Sequence, residues 1–223
     1  MGVTRVSVGD VFRWPHDDRP IRVLVSDDGV FMYDAWWPHL DAWGLAGLQE
    51  VRRQRVGYYV STVAALLEKA TFLRSEPLTD AEVALHRPDL PFCPVRCAAV
   101  DWPSSAPETQ DQLFSSLEAA GCADVDLAAT VSVAKIVLLP FGPQGGRKAG
   151  VRVAADDGVA FSAGELLWKA AAVQASCLGS AMPTRGLGIY RSGLQRGVAS
   201  YYLWGGESKL HAEIASVSGR GPD

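Results

Sequence analysis

The sequence predicts an α+β fold, built mainly of antiparallel sheets with helices packed on one face and divided into two subdomains. Three observations carry this reading. Short β-rich runs meet at Asp27-Asp28-Gly29 and Asp156-Asp157-Gly158, turn chemistry that suits hairpins rather than the crossovers of a doubly wound parallel sheet. Helix starts are marked by capping residues. A Pro/Ser-rich break, Asp101–Glu108, separates a Trp-rich part (1–103: a β-hairpin plus helices) from a part with cleaner helix–strand alternation (104–223: α+β with an antiparallel sheet).

Val6, Val8 and Val11 open the chain with strand signals. Ile21–Val25 and Val30–Tyr33 flank the first Asp-Asp-Gly turn, so residues 21–34 read as a hairpin. Val56–Val60 reads as a further strand. From Ser61 to Leu73, Val63, Leu66, Leu67, Ala70 and Leu73 recur at helical spacing, which predicts a helix. Thr79 and Glu82 form a capping box flanked by Leu78 and Val83, and the helix they start must stop near Arg87 because Pro88 disfavours helical geometry before it.

In the second part, Ser105 with Glu108 fits another capping box, and Gln110–Ala120 reads as a helix closed by Gly121. Leu127–Leu139 is β-rich, Phe141–Gly150 is a glycine-rich loop, and Val151–Val153 returns as a strand. Ser162 and Glu165 box a helix that runs to about Cys177, before Gly179. Residues 187–191 and 198–204 are the closing strands.

Composition narrows the function classes. The 223 residues carry a net charge of −4 and are 48% apolar, so the chain is neither disordered throughout nor electrostatically suited to gripping nucleic acid. The net charge is −3 before residue 104 and −1 after it, and five of the seven tryptophans lie in the first part. No apolar run of signal-peptide or membrane-spanning length occurs, and Val6 stands where a myristoylation motif needs Ser or Thr. A cytoplasmic protein with no membrane partner is expected, its four cysteines (Cys93, Cys97, Cys122, Cys177) read as reduced thiols.

No complete catalytic or cofactor motif is present. Cys93 and Cys97 lack the second ligand pair of a zinc site, so neither a metal nor a cofactor is expected. Gly142–Lys148 is followed by Ala149 and a strand rather than by a hydroxyl and a helix, so it is not a phosphate-binding loop. Its Arg147 and Lys148 remain candidates for contact with an anion or an acidic partner. Gly186-Leu187-Gly188 lacks a third glycine. Asp34, His39 and Asp41 lie close in sequence, and so do His86 and Asp89. Either group has the residue types for acid–base work, or for satisfying backbone groups in loops.

The densest feature is Trp36-Trp37-Pro38-His39-Leu40-Asp41-Ala42-Trp43. On an extended chain Trp36 and Trp37 point to opposite faces, so one small core does not hold both. Large amphipathic rings are frequent anchors of binding surfaces. Candidate binding residues are therefore Trp36, Trp37, His39, Asp41, Trp43, Arg147 and Lys148. Tyr58-Tyr59 and Tyr201-Tyr202 raise the same two-faced question.

The thirteen residues Asp157–Lys169, with Ser162 and Glu165 at their centre, resemble segments of small bacterial proteins encoded beside secreted toxins, immunity proteins among them. The resemblance implies a toxin domain as partner and assigns no functional residue. Two functions compete. The first is a non-catalytic cytosolic bacterial protein that binds a protein partner, in its specific form an immunity-type inhibitor of a toxin, with Asp17-Asp18, Asp27-Asp28 and Asp156-Asp157 available to a basic partner. The alternative is a small hydrolase whose site is built from Asp and His residues. Nothing in the sequence sets the oligomeric state.

Overall fold

The hairpin of β2 (Pro20–Asp27) and β3 (Val30–Trp37) is the centre of the N-terminal sheet in the computed structural model. The structure describes residues 4–27, 29–44, 55–122, 125–143, 145–178 and 185–205. Asp28, Gln144 and Gly179, each part of an expectation above, lie outside the described residues. The chain is α+β, with mainly antiparallel sheets and four helices among the described residues. It forms two units, residues 4–92 with 193–197 and residues 93–192 with 198–205.

In the first unit Asp27 pairs with Val30 across the expected turn, and Gly29 takes the positive φ of 75° that such a turn requires. The sheet runs β4 (Ala42–Trp43), β3, β2, β1 (Asp10–Arg13), β7 (Thr71–Ser75), and β6 (Tyr59–Thr62) pairs with β3. Residues 193–195 pair with β5 (Arg55–Gly57). One face carries Phe12, Ile21, Val23, Phe31 and Ala35, packed against Leu66 of α1 (Val63–Lys69).

The sequence expectation of a helix over 61–73 is corrected here. Helix α1 starts where Thr62 accepts a hydrogen bond from the Ala65 N–H, and it ends at Lys69 because Ala70 is extended. Thr71 and Phe72 then pair with β1, where Phe72 meets Phe12 edge to face at 5.4 Å. Tertiary pairing of β-favouring residues has overridden a helical spacing. Helix α2 (Asp80–His86) has the expected capping box between Thr79 and Glu82, and Arg87 closes it in a left-handed conformation before Pro88.

In the second unit the sheet runs β11 (Val151–Ala154), β10 (Lys135–Leu139), β14 (Val198–Trp204), β13 (Leu187–Gln195), with β8 (Val95–Cys97) also on β13. The β10–β14 pair is parallel, and the β10–β11 and β13–β8 pairs are antiparallel. A small ribbon joins β9 (Thr130–Val131) to β12 (Phe161–Ser162). Helix α4 (Ala163–Ala175) buries Leu166, Leu167, Ala170 and Ala171, whose small and branched side chains allow close packing. Its Gln174 is wholly buried and clamps Phe141, accepting from the N–H and donating to the C=O.

Two capping expectations change in detail. Helix α3 (Gln110–Ala119) is capped by Thr109 rather than by Ser105. At α4, Ser162 caps as expected, but the Glu165 carboxylate accepts from the Asp156 N–H at 2.7 Å and pairs with Lys169. The expectation of four reduced thiols is also corrected. Cys97 and Cys122 form a disulfide with Cα atoms 6.1 Å apart, inside the normal range, while Cys93 and Cys177 are free. No pattern of cysteine spacing announces that pair, because its partners lie 25 residues apart on different elements. Among the described residues no helix is long and apolar enough to cross a membrane.

Candidate interaction surface

Alternation along β3 separates the tryptophans. Phe31, Tyr33, Ala35 and Trp37 lie on the α1 face of the sheet, and Met32, Asp34 and Trp36 on the other. The α1 face begins as a closed core at Phe12, Ile21 and Phe31. It continues as a row of aromatic rings that are half-buried or exposed. Tyr33 stacks on Phe31 at 5.2 Å and on Tyr59 at 5.4 Å, its partner in the β3–β6 register. Trp14, two residues beyond Phe12, packs against the same core, hydrogen-bonds Tyr33 and stacks on His16 at 5.9 Å.

Arg19 links the row to Trp37. Its guanidinium lies 4.9 Å from the Trp37 ring centre and is held by Asp17 through bonds of 2.6 to 3.2 Å. The hydrogen bond from Arg19 holds the Asp17 carboxyl down at about 2, so the pair stays ionised through the physiological range. Burial pushes the Tyr33 hydroxyl above its usual value, which keeps it neutral. Trp37 rests over Gly44, where any Cβ would run into the indole, and His39 meets it edge on at 5.5 Å.

The surface thus presents Trp14, Tyr33, Trp37 and Tyr59 on one sheet face, with Arg19 fixed among them. Tyr59 is 48% exposed. Rings of this size bury large areas at low entropy cost, and their neighbours already fix their orientation, so a partner need not order them.

The sequence candidates divide around this face. Trp37 and His39 belong to it. Asp41 is exposed in the turn that follows, with a left-handed φ of 48°. Trp36 and Trp43 lie on the opposite face, paired in the β3–β4 register and edge to face at 5.4 Å. There Trp43 donates to Glu76 and is covered by the Arg22 guanidinium at 4.6 Å. Arg147 and Lys148 are exposed in the second unit, Arg147 on the ring and hydroxyl of Tyr202. Trp14, Arg19 and Tyr33 were not among the sequence candidates, and Tyr59 was flagged only as one of a two-faced Tyr58-Tyr59 pair. The β3 alternation would have linked Tyr33 to Trp37, but Tyr59 and Trp14 join only through strand pairing.

The structure does not gather Asp34, His39 and Asp41 into one acid–base site. Asp34 is 1% exposed on the face opposite Trp37 and His39, paired with Arg22 at 3.4 Å. Arg22 also bonds Glu82 at 2.9 Å, and burial pushes the Asp34 carboxyl up to about 7 against the pull of Arg22. His86 is buried with its Nδ1 3.1 Å from the Tyr58 hydroxyl, while Asp89 is held by Arg87. Among the described residues no group of three or more His, Cys, Asp or Glu side chains is placed to hold a metal ion.

Comparison of the chain with protein-family models, with curated proteins and with solved structures finds no match.

Proposed function

We propose that this is a non-catalytic binding protein whose first unit engages a protein partner through the Trp14–Tyr33–Trp37–Tyr59 face. The observation that carries the reading is the row of stacked, incompletely buried rings with an ion-paired arginine among them. That composition, aromatic with Arg, is the one enriched where partners contribute most binding energy. In its specific form the partner is a toxin domain and the protein its cytosolic inhibitor.

Affinity capture from the native host with wild-type protein and with Tyr59→Asp tests the reading. A partner held in stoichiometric amount by the wild type and lost by the variant supports it. A partner held equally by both, or no stoichiometric partner, contradicts it. Toxin inhibition then requires that the captured protein lose its own activity when the chain is added in equal amount.

The cytoplasmic placement is tested by the redox state of the Cys97–Cys122 pair in cells. Acid-quenched thiol labelling that finds both as thiols supports a reducing compartment, and labelling that finds the bond intact places the chain in an oxidising one.

A further inference from the structure

The second unit carries a separate feature that the aromatic face does not use. Among the described residues β11 ends its sheet, with β10 as its neighbour on one side. The Ala155 N–H donates to the Ala134 C=O at 2.9 Å, so by alternation Val153 and Val151 direct their backbone groups to β10, while Arg152 and Ala154 direct theirs outward. Lys169 caps the outward Ala154 C=O at 2.6 Å. Among the described residues the N–H of Ala154 and both backbone groups of Arg152 face an open edge.

The register places cations beside that edge. Lys135 lies opposite Ala154 and Arg152 opposite Val137, so the two are diagonal neighbours on one face of the sheet. Val137 and Leu139 lie opposite Ser200 and Tyr202 of β14, which puts Tyr202 on that face too. Arg147 stacks on the Tyr202 ring at 4.7 Å and donates to its hydroxyl at 2.8 Å. Lys135, Arg147, Lys148 and Arg152 are all exposed, and among the described residues none is paired with a carboxylate. In a chain of net charge −4 this is a concentrated exception.

We propose that the β11 edge, flanked by Lys135 and Arg152, with Arg147 further in over β14, docks an acidic extended segment of a partner protein as an added strand. The free edge supplies main-chain hydrogen bonds, and the cations select carboxylates at alternate positions of the incoming strand. An extended peptide is favoured over a nucleic acid because the backbone donors and acceptors of an open strand are complementary to another strand and not to phosphates. Lys169 limits the docked segment by closing the edge at Ala154.

The test is fluorescence anisotropy of the full chain with a labelled octapeptide alternating glutamate and valine. Two further peptides are N-methylated, one on the glutamates and one on the valines. Binding of the parent peptide is expected. Only one methylated peptide should lose it, because only one set of N–H groups faces the edge. Lys135→Glu with Arg152→Glu, both on exposed side chains, should weaken the parent by about tenfold or more. The proposal is overturned if the parent does not bind, if both methylated peptides behave alike, if the charge-reversed variant binds as the wild type does, or if an oligothymidylate of equal charge binds more tightly than the peptide.

Discussion

Replacing Asp34 by Asn removes a carboxyl that the fold holds under strong desolvation. The group has its ordinary value of 3.8 when the chain is unfolded and about 7 when it is folded, because burial outweighs Arg22. A carboxyl whose folded value is raised favours the native state only while it is protonated. Below about pH 4 it is protonated in both states and costs nothing. Between about pH 4 and 7 the native state binds the extra proton, so stability falls as pH rises. Above 7 the cost is complete. A shift of about three units corresponds to about 4 kcal/mol in full, of which about 2 to 3 kcal/mol falls between pH 5 and 8.

That window isolates Asp34 from its neighbours. Burial raises Glu76 and Glu82, but hydrogen bonds and Arg22 outweigh it, so both end below their usual value and stay ionised from pH 5 to 8. Asp17 is held down at about 2 and is ionised across the same range. The assay is urea unfolding followed by tryptophan fluorescence at pH 5, 6, 7 and 8, for wild type and Asp34→Asn. Trp43 lies under the Arg22 guanidinium and Trp36 packs against Trp43, so both report this region. Wild type should lose about 2 to 3 kcal/mol more than the variant across the range. Parallel pH profiles would refute the reasoning, and so would a wild type that gains stability from pH 5 to 8 relative to the variant.

Three further outcomes follow from the geometry. Cys97→Ser should cost about 3 to 4 kcal/mol under oxidising conditions, the loop-closure value for a separation of 25 residues, and reductant should lower the wild type to match it in denaturant titration. Gln174→Leu leaves both backbone groups of Phe141 without their buried partner and should cost about 2 to 5 kcal/mol, measured the same way; a loss under 1 kcal/mol would remove the clamp from the account. Thr79→Ala breaks the capping box of α2 and should cost about 1 kcal/mol, with Thr79→Ser restoring most of it.

Local signals in the sequence carried far, and pairing signals did not. The Asp27–Val30 turn, the Thr79–Glu82 box and the start of α4 at Ser162 each depend on residues within a few positions, and all appear in the structure. Thr71–Leu73 was misread because Leu66, Leu67, Ala70 and Leu73 keep helical spacing, while its fate was settled by β1, about sixty residues earlier in the chain. The parallel β10–β14 pair and the Cys97–Cys122 bond are long-range in the same sense. The interaction surface was half legible. Trp36 and Trp37 had to part, but which of them joined the exposed row depended on the sheet's two coverings. Tyr59 entered through the register Tyr33 to Tyr59, and Trp14 through its packing on the Phe12 core.

The central claim is that the Trp14–Tyr33–Trp37–Tyr59 face binds the partner. Isothermal titration of the captured partner against wild type, Tyr59→Ala and Trp37→Ala tests it most directly. Tyr59 is 48% exposed, so its truncation removes binding surface with little effect on folding. The account predicts that each substitution weakens binding by about 2 kcal/mol, roughly thirtyfold, with thermal unfolding nearly unchanged for Tyr59→Ala. Wild-type affinity in both folded variants would contradict it.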